Sequence, residues 1–495
     1  MNWFKSAIMK IFKIESALEH SITVREPLSF QANVLKNQIW YRGDPSELGQ
    51  FFSAASVDNA TAARFWALSH TSKVRKMHSG IPKMVINKFS DIILSDLDKI
   101  TINDNEEESN NLWKTIADDN KFTKVLEKAI QGALSVGDGA FKFSYDRTIS
   151  QYPIIEFFTA ERVEYEYARG RLKKIFYYTT YTHRGKEYRL QECYGRGEIS
   201  YKLFDERGKV VALNTLEETR DLIDVKFKGD FIMGIPLIFF ESSKWEGRGE
   251  GLLDSKTDAL DALDEDVSQF IDSIRAARTQ KYIPEDLLPR NPYTGQIAEG
   301  NDFDNKYIAI GSNRSEDAKD GIVVVTPDIL HEAYNAGFAS FLDICLMGII
   351  SPSTLGIDLK KNDNAEAQRE KEKTTLYTRS KLIDVLNEII PQVVTMALWV
   401  NDVLNSRTIG EYKVSVSFGE YAAPTFNEIV EVVGKAVTYG IMSKRKAVDE
   451  LYGDTMTDAE KEAELRAIKE DSNIQMDEPA TRIDGLDDEP EGDED

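Results

Sequence analysis

The chain has 495 residues, a formal net charge of −23 and a pI of about 4.8, with 41% hydrophobic and 29% charged residues. That length allows roughly two to four domains with real cores. The acidity argues against holding nucleic acid tightly by phosphate neutralisation, and its plainest reading is solubility. Two distant cysteines, Cys193 and Cys345, and five scattered histidines offer no disulfide scaffold and no CxxC or HxxxH zinc site, and they fit a reducing compartment.

In chain order, Met1–Ile14 has an amphipathic pattern, with Trp3, Phe4, Ile8, Ile11 and Phe12 set against Lys5, Lys10 and Lys13. It has no continuous apolar core or cleavage site, so it reads as a helix docking on its own protein or a neighbour, with a membrane-surface helix as the alternative. No apolar run approaches the roughly 20 residues needed to cross a bilayer. Up to about Thr148 the pattern is helical: Thr61–Lys76, Met84–Leu94 and Lys121–Leu134 carry apolar residues at helical spacing, broken by Ser79-Gly80-Ile81-Pro82. The polar Asn103–Asn111 is expected to be an exposed loop, and Gly137-Asp138-Gly139 a sharp break before a strand at Phe141–Tyr145.

From Pro153 to Leu213 the period becomes two. Ile154–Phe158, Val163–Tyr167, Leu172–Thr182, Tyr188–Tyr194 and Ile199–Asp205 are separated by turn triplets ending in Gly170, Gly185, Gly197 and Gly208, which predicts an antiparallel meander. A helix is expected over Ser255–Gln280, roughly 39 Å long, with an apolar stripe through Ala259, Leu263, Val267, Phe270, Ile274 and Ala277. Its other faces are acidic first and basic last, as the helix dipole favours. A turn-rich insert follows, with short strands at Tyr307–Ile310 and Ile322–Val325, then a helix over Asp328–Ile349. After Ser351-Pro352-Ser353-Thr354-Leu355-Gly356 comes a polar stretch, Asp358–Lys373, and a helix that Pro391 should kink. Further helices are expected over Thr425–Leu451 and Thr457–Lys469, before an acidic tail from Asp471 expected to be disordered.

No phosphate loop is present, since Gly185-Lys186 and Gly434-Lys435 lack the upstream glycine and the following hydroxyl residue. Gly195-Arg196-Gly197 matches half a dinucleotide fingerprint but lies between strands, and no nucleophile elbow or metal-ligand set occurs. Neither a catalytic residue nor a metal or cofactor is therefore assigned, and the chain is expected not to be an enzyme.

The fold class expected is α+β and predominantly helical. The order of its elements resembles the phage portal family, specifically head-tail connectors of the siphophage type from Gram-positive hosts. The stretches that carry the likeness are Asn37–Asp44, Gly80-Ile81-Pro82, Ala133–Gly139, Gly249-Glu250-Gly251 and, above all, Ser351–Arg379 with its Asn-Ala-Glu-Ala-Gln-Arg-Glu-Lys-Glu core. The resemblance implies a ring, usually of twelve copies, at one capsid vertex of the virion and assembled in the host cytoplasm. Genome packaging by terminase and later ejection would pass through it.

It also implies a division into a wing (1–250, with a return at 374–423), stem helices (251–280 and 328–350), a clip (281–327), a tunnel loop (351–373) and crown helices (424–470), followed by the tail (471–495). On this likeness Lys360, Lys361, Asn362 and Asn364 would face DNA. Asp258, Asp261, Glu265, Asp272, Arg275 and Arg278 would line the channel, and Arg290, Asn291, Tyr293, Asp302 and Asp304 would bind terminase or an adaptor. The implied partners are further copies of the chain, double-stranded DNA without sequence specificity, the terminase large subunit, head-completion proteins, and the capsid and scaffolding proteins, with no membrane. The alternatives are a metal-dependent DNA-processing enzyme or another ring-forming virion scaffold protein.

Overall fold

A computed structural model describes residues 28–56, 65–68, 74–103, 106–277, 280–284, 288, 290, 292–296, 307–310, 323–325, 328–357, 365–419, 426–452, 456 and 458–474. The amphipathic N-terminal stretch lies outside them, as does the tail beyond Ile474. The chain forms two compact units, Met1–Phe418 and Gly419–Asp495.

The first unit begins with α1 (Phe30–Arg42), whose start is capped by the Ser29 hydroxyl accepting from the Ala32 amide, and α2 (Pro45–Ser56). In the described residues of Thr61–Lys76 the expected helix is not formed. They hold one 3-10 turn, Trp66–Leu68, and residues 74–80 are irregular, because their amides bond to another helix. Next come α3 (Ile81–Asp96), with Pro82 in its first turn, β1 (Leu97–Ile102), α4 (Glu107–Asn120) and α5 (Phe122–Val136). The loop expected over Asn103–Asn111 is thus helical from Glu107. The cluster Glu106, Glu107 and Glu108, which looked like solvent-exposed polarity, sits where a helix dipole favours negative charge.

The β region is two sheets, not the single meander expected. β2 (Asp138–Ser144) and β3 (Ile154–Thr159) pair with each other in one. The other is a true meander: β4 (Val163–Ala168), β5 (Arg171–His183), β6 (Lys186–Gly195), β7 (Glu198–Asp205) and β8 (Val210–Val211), with β9 (Val225–Lys226) also on β7. Its hairpins turn on Arg169-Gly170 and Arg184-Gly185, where both residues have positive φ, as a tight two-residue turn between twisted strands requires. β10 (Gly234–Ile238) returns to the edge of β2. The two sheets are joined by a buried ion pair: Lys142 of β2 lies 2.6 Å from Glu192 of β6, among the rings of Phe158, Tyr177 and Tyr194.

α6 (Thr257–Ala276) follows, then β11 (Gln280–Pro284), β12 (Tyr307–Ile310), β13 (Val323–Val325) and α7 (His331–Leu346). The first of these helices, α6, is therefore shorter than expected: a strand that holds the β-formers Tyr282 and Ile283 begins at Gln280. That strand pairs in parallel with β12 and antiparallel with β13.

The last helix of this unit, α8 (Ala365–Leu404), starts inside the polar stretch expected to be a loop and runs through Pro391 without ending. Its segment Glu372–Leu404 is long and apolar enough to cross a bilayer by composition, contrary to expectation. Here Leu382, Leu386, Ile390, Val393, Val394 and Ala397 are instead buried in the main core, with Val85, Phe89 and Ile93 of α3 and Phe141 of β2. β14 (Val414–Phe418) then pairs with β1, Ile102 opposite Val414 and Ile100 opposite Val416. The second unit contains α9 (Phe426–Thr438), α10 (Lys444–Tyr452) and α11 (Asp458–Ile474), the last extending four residues into the stretch expected to be disordered.

Two glycines separate conformational from packing demands. Gly185 has φ +71 and open space around it; a Cβ on Gly249 would collide with the Gly137 carbonyl. Gly185→Ala should cost about 1 kcal/mol. Gly249→Ala should cost more than about 3 kcal/mol, because two backbones must separate. Denaturant melts of both variants check this; an equal loss at the two positions would refute the assignment.

Candidate functional site

The paired helices α6 and α7 and their root in the body form the candidate site. Their pairing is antiparallel: Lys256 at the start of α6 donates to the Ile344 carbonyl at the end of α7, and Phe270 meets Tyr334 with ring centroids 5.2 Å apart. Between these, Gly337 lets the helices approach so closely that a Cβ there would lie 2.6 Å from Asp266 Oδ1.

At its root α6 presents Asp261, Asp264 and Ser268, spaced by three and four residues and so on one face. All three are buried. Asp261 accepts from the Trp66 and Ala67 amides at 2.6 and 3.1 Å, Asp264 from the Ser79 amide at 2.8 Å, and Ser268 Oγ from the Met77 amide at 2.9 Å. These bonds use backbone donors that the irregular segments 65–68 and 74–80 would otherwise leave unpaired. Lys76 closes the seam by donating to the Trp66 and Ala67 carbonyls. Asp261 was expected to line a channel; it is 7% exposed and committed to this internal seam, which corrects that expectation. The other channel candidates differ. Asp258, Glu265 and Asp272 recur every seven residues, so they stack along one stripe of α6, and all keep some exposure, as does Arg275. Arg278 lies outside the described residues.

Burial shapes the electrostatics of the seam. Desolvation lifts the Asp261 carboxyl from an ordinary 3.8 to about 6, against the pull of its two amide donors. His78 is 3.1 Å from Asp264 through Nδ1 and 3.1 Å from the Trp40 carbonyl through Nε2. Burial opposes its charge, but those two acceptors outweigh burial and raise the imidazole above its usual value.

Two of the stretches that carry the sequence likeness, Ala133–Gly139 and Gly249-Glu250-Gly251, meet at this root. Leu252 N donates to the Leu134 carbonyl at 2.9 Å, and Gly249 and Gly251 press on the backbone of Gly137 and Ser135. Arg248 grips the fully buried Asp138 through two nitrogens at 2.8 and 2.7 Å and also donates to the Val163 and Ala160 carbonyls. Lys36 and Asn33 of α1 hold Asp254, just before α6, at 2.7 and 3.2 Å. Sequence reasoning quoted the glycines here but missed Asp138, Arg248, Lys36, Asp254 and His78. Partners 110 and 218 residues apart leave no local spacing to read.

In the insert, Arg290 and Tyr293 are exposed, Tyr293 at 95%. Asn291, Asp302 and Asp304 lie outside the described residues, as do Lys360, Lys361, Asn362 and Asn364. Among the described residues no group of three or more His, Cys, Asp or Glu could hold a metal ion.

No protein-family model matches the chain, and no curated protein does. Three solved structures to which it is similar come from gene transfer agent (GTA) particles. The first, from the virion of a native GTA particle, is 11% identical, covers 90% of this chain and 98% of that chain, and has a TM-score of 0.37. The second, from the neck of an empty GTA particle computed with C6 symmetry, is 11% identical over 74% and 88%, with a TM-score of 0.38. The third, from the neck of a native GTA particle computed with C12 symmetry, is 10% identical over 77% and 96%, with a TM-score of 0.37.

The seam predicts a pH dependence. Between about pH 4 and 6 the unfolded chain releases the Asp261 proton before the folded chain does, so this residue's contribution to stability falls as pH rises across that window. The His78 contribution is complete below about pH 6.5 and is lost as pH rises through its raised value. Asp261→Asn should remove the slope due to that residue, a difference on the order of 1–3 kcal/mol between the ends of the window. Melts of both chains at matched pH values measure it, and identical slopes would rule the assignment out.

Proposed function

We propose that the chain is the portal subunit of a tailed double-stranded DNA phage, a non-enzymatic ring component through which the genome is packaged and ejected. The observation that carries this reading is an uncovered apolar stripe on α7. Ala333, Ala336, Ser340 and Ile344 recur at helical spacing, Met347 follows just past the helix end, and all five are exposed in one copy. Ile344 is 46% and Met347 66% exposed. One copy leaves that stripe in water, whereas a head-to-tail ring covers it in every subunit. The sequence likeness to portals, and the order of wing, helix, inserted sheet and helix, support the same reading.

On this reading the stripe of Asp258, Glu265 and Asp272 faces the passing duplex and repels its phosphates, so DNA stays centred without adhering. A rotationally symmetric ring reads no base sequence, and weak contact from the segment holding Lys360 and Lys361 suffices. The chain carries no nucleotide-binding motif, so a docked terminase would supply the energy, with the insert around Arg290 and Tyr293 as its contact.

Mass measurement in solution tests the ring. The wild-type chain should assemble well above the 56.1 kDa of one copy. Ile344→Glu with Met347→Glu should remain folded and weaken assembly at least about tenfold, as expected when two charges enter an apolar contact. A wild-type chain that stays monomeric, or a double variant that assembles normally, would sink the proposal.

A further inference from the structure

A second surface on the first unit has no place in that account. A cleft of about 780 Å³ opens where the meander, the segment entering β10 and one face of α8 come together. Its floor is apolar and aromatic: Phe231 and Trp399 lie with ring centroids 5.3 Å apart, and Met396 sits beside them. The indole N–H of Trp399 is already used by the Gly410 carbonyl at 3.0 Å, which fixes the ring's orientation. Around this floor stand Arg171, Arg196 and Lys413, with Asp230 as the one acidic lining residue. Asp230 is 88% exposed and reaches Arg196 only at 3.7 Å, too long and too solvated to neutralise it. Three cations facing one weakly placed carboxylate is a local reversal of charge in a chain where 84 acidic residues outnumber 61 basic ones.

We propose that this cleft docks an acidic peptide segment of a partner protein, one that carries an apolar or aromatic side chain between its carboxylates. Charge complementarity names the sign of the partner, because Arg171, Arg196 and Lys413 are placed to meet carboxylates at the rim. The floor names its second property: Trp and Arg around a concave apolar centre are the residue types that dominate binding energy when a side chain is seated among them. A cleft of this volume lies within the range that encloses a few side chains. Duplex DNA fits less well. Its outer surface offers phosphates without an apolar knob, and a chain with net charge −23 needs more than three cations to hold it.

The full-length protein in its native assembly is titrated into three fluorescein-labelled probes, with anisotropy as the readout. These are a short peptide alternating Asp or Glu with Phe or Leu, the same peptide with Lys in the acidic positions, and a short DNA duplex. The acidic peptide should bind, weaken with added salt, and outcompete the lysine peptide. Arg171→Glu with Lys413→Glu should weaken it at least tenfold, with an unchanged melting temperature since both side chains are exposed. Thr395→Trp, which fills the cleft without altering charge, should weaken it as well. Absence of binding by the acidic peptide, undiminished binding by both variants, or cleft-dependent binding of the duplex alone would overturn the proposal.

Discussion

A helix that leads away from a protein body must be rooted in it, and here buried carboxylates form the root. Asp138, Asp254, Asp261 and Asp264 are each largely removed from water and each satisfied, by Arg248, by Lys36, by paired backbone amides, or by His78 and an amide. Removing one partner of such a buried group is strongly destabilising, on the order of 3–5 kcal/mol, because the other charge is left without compensation. These contacts are directional, unlike apolar packing, so they set the angle and register at which α6 leaves the body.

The seam also explains why α6 can be so acidic without its charges acting together. Asp261 and Asp264 are spent on internal backbone, while Asp258, Glu265 and Asp272 lie along a neighbouring stripe and keep contact with solvent. Two kinds of carboxylate share one helix, separated by roughly 60° of helical rotation. In α7 the same geometry divides apolar residues: Leu342, Cys345 and Leu346 are buried, whereas Ile344 and Met347 are not.

Much of the fold was legible in the sequence because it rests on local rules. The meander strands from Val163 to Asp205 were predicted to within one or two residues, since alternating aromatic and branched side chains and the paired turn residues Arg169-Gly170 and Arg184-Gly185 both act over a few positions. The helix at α5 was equally clear from its periodic apolar face. Where local rules conflicted, the sequence misled: Trp66 and its neighbours have helical spacing, but their amides serve Asp261 instead. The helix expected to reach Gln280 ends earlier, because the strand from Gln280 gains two partner strands, with Lys281 opposite Tyr307 and Val324, 26 and 43 residues further on.

The sequence by itself determined the meander strands and their turns, the helix around Lys121–Leu134, the acidity and the absence of phosphate-loop and metal motifs, because each of these is a property of neighbouring residues. Only the tertiary structure decided which carboxylates are buried. It alone brought Asp138 to Arg248 and Asp264 to His78, and it sorted the faces of α6 and α7 into covered and uncovered. Periodicity says that a helix has two sides, but which side meets protein depends on groups far away in the chain, and desolvation acts on that choice.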